Sequence, residues 1–78
     1  MSEGTIFELE GISYSILYKM KVNSDNYILV SYDEKGKILF DVFEVFDDDT
    51  VKKISDKELK NNILEKFMLK SLDHLENE

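Results

Sequence analysis

A regular alternation of apolar and polar residues over positions 12–22 constrains the fold of this chain more than any other feature. Every even position from Ile12 to Val22 is apolar, and four of the five odd positions are Ser or Lys, with Leu17 as the exception. A period of two over this length predicts a long β-strand with one buried face.

Four further segments favour strands because they are rich in β-branched and aromatic residues, and Gly, Asn, Asp and Ser separate them. The predicted strands cover residues 5–9, 12–22, 27–32, 38–46 and 51–54. The third is apolar on both sides, which predicts a central strand. In the fourth, Asp41 and Glu44 fall on opposite faces if the strand is unbroken, whereas a bulge between them would restore one apolar face.

The C-terminal third predicts one amphipathic helix from about residue 56 to about residue 74. Ser55 and Glu58 have the spacing of a capping box, and Asp56 adds a negative charge that the helix N-terminus favours. A wide apolar face follows, formed by Leu59, Ile63, Leu64, Phe67, Met68, Leu72 and Leu75. We therefore predict a single α+β domain over residues 1–78: an antiparallel meander of about five short strands covered by this helix, with residues 1–4 and 76–78 frayed.

The composition of the 78 residues narrows the functional classes. Seventeen acidic residues outweigh ten lysines, which leaves a net charge of −7, and there is no Arg or Cys. The acidic charge disfavours direct binding to nucleic acid or to an anionic membrane. Without Cys or an N-terminal targeting segment, we expect a cytoplasmic protein.

Two acidic features and one histidine are the candidates for chemistry. Asp47, Asp48 and Asp49 lack the Gly and the terminal bidentate Glu of a calcium loop, so they predict a solvated turn, with contact to a basic partner as the alternative. His74 has no orienting partner nearby in sequence. A carboxylate pair of Asp41 and Glu44 would need a pocket, which a small sheet with one helix scarcely accommodates. We therefore expect no enzyme activity, no cofactor and no metal site.

Aromatic residues of the strands raise the question of a base-stacking platform. Tyr14, Tyr18, Tyr27 and Tyr32 lie in predicted strands together with Phe40, but single-strand binders also need a positive groove. Lys19 and Lys21 are too few to provide one, so we expect these aromatic side chains to pack in the core.

The end of the helix is the second candidate interaction site. At ~1.5 Å per residue the helix is longer than the strands it covers, and Leu69 lies off its apolar face. Leu69, Leu72 and Leu75 either follow the twist of the sheet or contact a partner, which would be another protein or a second copy in a homodimer.

Several segments resemble the YrzB-like family of small acidic bacterial proteins (domain of unknown function 1292). They are residues 14–18 before a polar loop, residues 27–30, the acidic loop at Asp47–Asp49, and the helix entry at residues 54–58. The resemblance spans Phe7 to about Leu72 and implies the same order of strands then helix, but no activity. This chain lacks a Pro after its Tyr-rich strand and carries more Lys in the helix.

Together these features predict a non-enzymatic acidic module that binds another protein, one with a basic surface. Asp47, Asp48, Asp49, Leu69, Leu72 and Leu75 are the candidate contact residues. The alternative is a phage-type inhibitor, anti-CRISPR-like or a nucleic-acid mimic, whose carboxylates occupy the basic groove of a nucleic-acid enzyme.

Overall fold

A computed structural model describes the backbone of residues 3–76 and the side chains of residues 3–70. Over these residues the chain forms a five-stranded antiparallel sheet and one C-terminal helix, which confirms the predicted α+β class. The strands lie in the sheet in the order in which they occur in the chain. The elements are β1 (Ile6–Leu9), β2 (Ile12–Val22), β3 (Asp25–Glu34), β4 (Lys37–Val45), β5 (Val51–Lys53) and α1 (Lys57–Glu76).

Two-residue turns connect β1 to β2, β2 to β3, and β3 to β4. Both residues of each turn have positive φ, with values of 53° and 81° at Glu10 and Gly11 and of 52° and 80° at Lys35 and Gly36. This conformation matches the twist of the flanking strands, and glycine adopts it without strain. The second turn places Ser24 at φ 72°, where a side chain is unfavourable. The tight turns lengthen β3 beyond the residues predicted for it, while β4 begins and ends one residue earlier than predicted.

The sheet curls so that its first and fourth strands meet. The rings of Phe7 in β1 and Phe43 in β4 have centroids 5.7 Å apart, whereas three strand spacings in a flat sheet amount to about 14 Å. Across the same gap, the Lys53 ammonium lies 3.6 Å from the Glu10 carboxylate. One face of the sheet is therefore concave and closes on itself.

A bulge in β2 lets this strand contribute to both faces. Ile16 pairs with Val30 and Tyr18 pairs with Leu29, so Leu17 is the extra residue. Before the bulge the even positions point to the concave face, and after it they point to the opposite face. The expectation of a single buried face along residues 12–22 is therefore wrong. Of the two alternatives for β4, the structure shows the unbroken strand, because the β3–β4 register has no bulge between Asp41 and Glu44.

Each face carries its own hydrophobic core. The concave core holds Tyr14, Ile16, Ile28, Val30 and Phe43, with the Tyr14 ring in edge contact with Phe43 and Tyr32. The second core lies between the opposite face and α1 and holds Tyr27, Val42, Ile63 and Phe67. Tyr27 lies in the second core and its neighbour Ile28 lies in the concave core, so β3 is buried on both faces, as its sequence predicts.

Helix α1 begins after Asp56 and crosses the strands. The Asp56 carboxylate accepts hydrogen bonds from the amides of Glu58 and Leu59, at 3.0 and 3.3 Å. Asp56 is therefore the N-cap, and the prediction that Ser55 fills this role is wrong. Further along, Lys60 reaches Asp41 of β4 at 2.8 Å, and the Lys70 ammonium donates to the carbonyl of Lys19 in β2 at 2.7 Å.

Backbone strain in the turns predicts that substitutions at Ser24 and Gly36 change the free energy of unfolding in opposite directions. Ser24→Gly should raise the free energy of unfolding by about 0.5 kcal/mol, since glycine relieves the left-handed backbone. Gly36→Ala should lower it by about 1 kcal/mol for the same reason. Urea denaturation of both variants measures the two changes, and equal signs would contradict this account of the turns.

The identity of the helix cap is testable with two neighbouring variants. Asp56→Ala should destabilise the fold by about 1 kcal/mol because two backbone amides lose their acceptor. Ser55→Ala, the matched control, should change stability by less than about half of that. Thermal denaturation followed by circular dichroism distinguishes them, and a larger loss in Ser55→Ala would restore Ser55 as the cap.

Candidate interaction surfaces

The turn between β4 and β5 carries the three consecutive aspartates and is held by its own hydrogen bonds. The Asp48 carboxylate accepts from the Thr50 hydroxyl at 2.6 Å and from the Thr50 amide at 3.2 Å. The Phe46 amide donates to the Thr50 carbonyl, which closes the turn. These hydrogen bonds, led by that of the Thr50 side chain, hold the pKa of Asp48 below its ordinary value. Asp47, Asp48 and Asp49 are all exposed, so this segment is a solvated turn as predicted.

Asp41 and Glu44, the two carboxylates of β4, do not form a pair. Asp41 lies opposite Val30 and Glu44 lies opposite Tyr27, which places the two side chains on opposite faces of the sheet. Asp41 is engaged by Lys60 and also accepts from the amide of Val42. Within residues 3–70, no cluster of three metal-ligating side chains occurs. His74 lies outside the described side chains.

An open groove of about 390 Å³ lies between the end of the β2–β3 hairpin and the acidic turn. Lys19 and Lys21 line one wall, and Phe46, Asp47 and Asp49 line the other. Sequence analysis missed this groove because the register of β2, set by the Leu17 bulge, brings the two lysines to the concave face. Its walls are oppositely charged and open to solvent.

The predicted contact residues of the helix are only partly described. Leu69 is 60% exposed and its neighbour Met68 is 66% exposed. Leu72 and Leu75 lie outside the described side chains. Met68 was predicted to belong to the buried face, but α1 buries Ile63 and Phe67 and leaves Met68 in solvent.

The largest surprise is an exposed apolar area on the sheet face that carries α1. Cross-strand pairing places four side chains in one row across β1, β2, β3 and β4, with Ile38 next to the last of them. We call this set the open patch, and it consists of Ile6, Ser15, Ser31, Phe40 and Ile38. Ile6, Phe40 and Ile38 are 66%, 58% and 67% exposed.

The open patch contradicts the expectation that Phe40 packs in the core. Phe40 lies opposite Ser31, and Ser31 lies opposite Ser15, so its neighbours on the face are too small to cover it. The two serines are the sequence signal that could have found the patch, since both interrupt apolar strands on the same face. Ser15 and Ser31 lie side by side only because of the register between β2 and β3, which the sequence of either strand alone does not reveal.

Comparison with known proteins returned no matching protein family, no matching curated protein and no matching solved structure. The resemblance to the YrzB-like family therefore stays a prediction. In the part of the chain that the structure describes, no helix has the length and apolar character needed to cross a membrane.

The hydrogen bond from Thr50 to Asp48 makes a pH-dependent prediction. A lowered pKa in the folded state means that the ionised Asp48 carboxylate favours folding at pH above about 3.9, and that this contribution disappears as the pH falls through the lower folded value. Thr50→Val should move the pKa of Asp48 back towards its ordinary value. Carboxyl carbon NMR titration measures it, and an unchanged pKa would show that the hydroxyl is not the cause.

Proposed function

We propose that this domain is a non-enzymatic protein-interaction module of the cytoplasm, and that its partner binds the open patch. The observation that carries the proposal is the neighbouring pair of Phe40 and Ile38 on one sheet face, both more than half exposed, with the exposed Ile6 at the other end of the same cross-strand row. Single exposed apolar residues are common on protein surfaces, but contiguous groups mark binding sites.

The position of the open patch supports binding rather than a packing defect. The same sheet face is well packed where α1 covers it, with Val42 and Ile63 fully buried only a short distance from Phe40. Apolar side chains on the part of the sheet face that α1 does not cover stay in water. They gain the hydrophobic free energy of burial only when another molecule packs on them. A bound partner would bury the central aromatic ring, and such rings contribute most to binding free energy.

The charge of the domain supports a partner with a basic surface. At −7 the domain attracts positively charged proteins and repels phosphates, whether of nucleic acid or of anionic lipid. Glu8 and Asp33 lie on the same face as the open patch and are exposed at its border. A partner with apolar residues ringed by Lys or Arg therefore complements this surface.

The alternative function is the phage-type inhibitor that fills a basic groove of a nucleic-acid enzyme. The exposed acidic turn favours it, since Asp47, Asp48 and Asp49 project from one end of the sheet. Under this alternative the acidic turn makes the main contact and the open patch is incidental. Under a third arrangement the exposed end of α1, with Leu69, joins two copies.

Three single variants distinguish these interfaces. We expect Phe40→Thr to reduce partner capture about tenfold or more, because an aromatic side chain at the centre of an interface is a binding hot spot. Leu69→Gln and Asp47→Ala should capture as well as the unmodified domain. The measurement is quantitative mass spectrometry of proteins retained from host extract on each immobilised variant, after circular dichroism has shown that each is folded.

The pattern of losses identifies the interface. Loss of capture only in Asp47→Ala, with steep salt dependence, would favour the groove-filling inhibitor. Loss only in Leu69→Gln would favour the helix end. An undiminished signal in Phe40→Thr would refute binding through the open patch.

A further inference from the structure

We infer that the partner contacts the domain with an extended segment, which adds to the sheet as a strand along the outer edge of β4. This inference rests on the proposed function and specifies the element of the partner that lies beside Phe40. Its basis is a stretch of β4 whose outward backbone groups are not paired with another strand. We call residues 37–41 on the side of β4 away from β3 the free edge.

The free edge exists because β5 is much shorter than β4. β4 has nine residues, whereas β5 has three and pairs only with Phe43, Glu44 and Val45. After Lys53 the chain leaves the sheet and leads into α1. Among residues 3–76, which the structure describes, no strand pairs with residues 37–42 on the side away from β3. A sheet edge of this kind is a template for a further strand.

The alternation of hydrogen bonds in an antiparallel sheet decides which backbone groups the free edge offers. Just after β4, the Phe46 amide donates to the Thr50 carbonyl, so the backbone groups of the even-numbered residues of β4 point away from β3. Ile38 and Phe40 therefore present both their amides and their carbonyls at the free edge. The amide and carbonyl of Leu39, between them, point to β3.

An ion pair closes the free edge at its C-terminal end. The next outward amide, that of Val42, donates to the Asp41 carboxylate at 2.8 Å. The Lys60 ammonium of α1 lies 2.8 Å from the same carboxylate. Because Asp41 lies opposite Val30 on the concave face, this ion pair reaches across the outer edge of β4. The amide of Val42 is thus occupied, and an added strand ends beside Asp41.

Side chains along the free edge define the apolar positions of the added strand. Ile38 and Phe40 are more than half exposed and point to the face that carries α1. Cross-strand neighbours on one face lie about 5 Å apart, so apolar residues opposite Ile38 and Phe40 would cover both. Successive side chains of a strand point to opposite faces, so the intervening residues of the partner lie on the concave side with Lys37 and Leu39.

The charge of the domain selects a basic segment. At −7 the domain attracts cationic chains and repels acidic ones. At the free edge itself the lysines are already matched, since Lys60 is paired with Asp41 and Lys37 lies opposite Glu34 in β3. Two copies joined edge to edge would bring two charges of −7 together, so repulsion opposes self-pairing. The inferred segment therefore alternates apolar residues with Lys or Arg.

The added strand runs antiparallel to β4. This direction continues the line of β5, which also runs antiparallel to β4, and antiparallel pairs are the more stable per residue. In this arrangement the partner residues opposite Ile38 and Phe40 exchange two hydrogen bonds with each of them. The amides of these partner residues face the domain, whereas the amides of the residues between them face solvent.

Three synthetic peptides test the inference. The probe is a labelled peptide of about seven residues that alternates Lys and Ile, which covers the free edge at about 3.4 Å per residue. One control is N-methylated on every Ile, which removes the amides that face the domain. The other is N-methylated on every Lys, which removes only amides that face solvent. In fluorescence anisotropy with the full domain, we expect only the Ile-methylated peptide to bind about tenfold or more weakly than the probe.

Two substitutions at one position separate the backbone contact from the side-chain contact. Proline is tolerated in an edge strand where its missing amide would face solvent, so Ile38→Pro removes a donor of the free edge and keeps the pairing with β3. Ile38→Thr, the matched control, removes the apolar side chain but keeps the amide. Ile38→Pro should bind the probe about tenfold more weakly than Ile38→Thr does. Both variants keep the net charge, and circular dichroism checks that both are folded.

Amide hydrogen exchange followed by NMR locates the added strand in the unmodified domain. The amides of Ile38 and Phe40 should exchange rapidly in the free domain and become protected when the probe binds. The amide of Leu39, which is bonded to β3, should be protected in both states. This alternation distinguishes strand addition from any element that packs only on the Phe40 side chain, because such an element forms no hydrogen bonds to the free edge.

Other outcomes would overturn the inference. Equal binding of the two N-methylated peptides would do so, as would unchanged exchange at Ile38 and Phe40 in the complex. A dimer of the domain in sedimentation velocity that Ile38→Pro abolishes would assign the free edge to a second copy instead. If the probe fails to bind while Phe40→Thr still abolishes capture from host extract, strand addition is refuted and the proposed function stands.

Discussion

The bulge at Leu17 is the constraint on which the rest of this structure depends. It turns a single strand so that Tyr14 and Ile16 enter the concave core while Tyr18 and Met20 lie under α1. Without the extra residue, every even position of β2 would point to one face, and one of the two cores would lose its contribution from this strand. The bulge also increases local twist, which is consistent with the curl that brings Phe7 to Phe43.

Most of the fold is readable from local patterns in the sequence. Strand positions follow from β-branched and aromatic segments, and Gly11 and Gly36 mark two of the tight turns. The helix position follows from its apolar periodicity. These signals concern residues close in sequence, so each can be read from one segment alone. The N-cap is the exception, because Ser55 and Asp56 are both good caps and their order is settled by geometry.

The candidate sites were harder to predict because they depend on how strands align. The exposed state of the acidic turn was predictable from its composition. The open patch was not, since Phe40 sits in an apolar strand and is exposed only because its neighbours across the sheet are Ser31 and then Ser15. The groove beside Lys19 and Lys21 was equally hidden, because the bulge decides which face those lysines occupy.

The order of strands in the sheet has a consequence for how the chain folds. Every strand pairs with its neighbour in sequence, and two-residue turns join the first four. Contacting residues in these hairpins are close together in the sequence, and contacts of this kind form quickly. We therefore expect the hairpins to form rapidly, one after another. The contact between Phe7 and Phe43 and the hydrogen bond from Lys70 to Lys19 join distant parts of the chain, and their formation costs more loop-closure entropy than the hairpins do. Closure of the curled sheet and docking of α1 are therefore expected to follow hairpin formation.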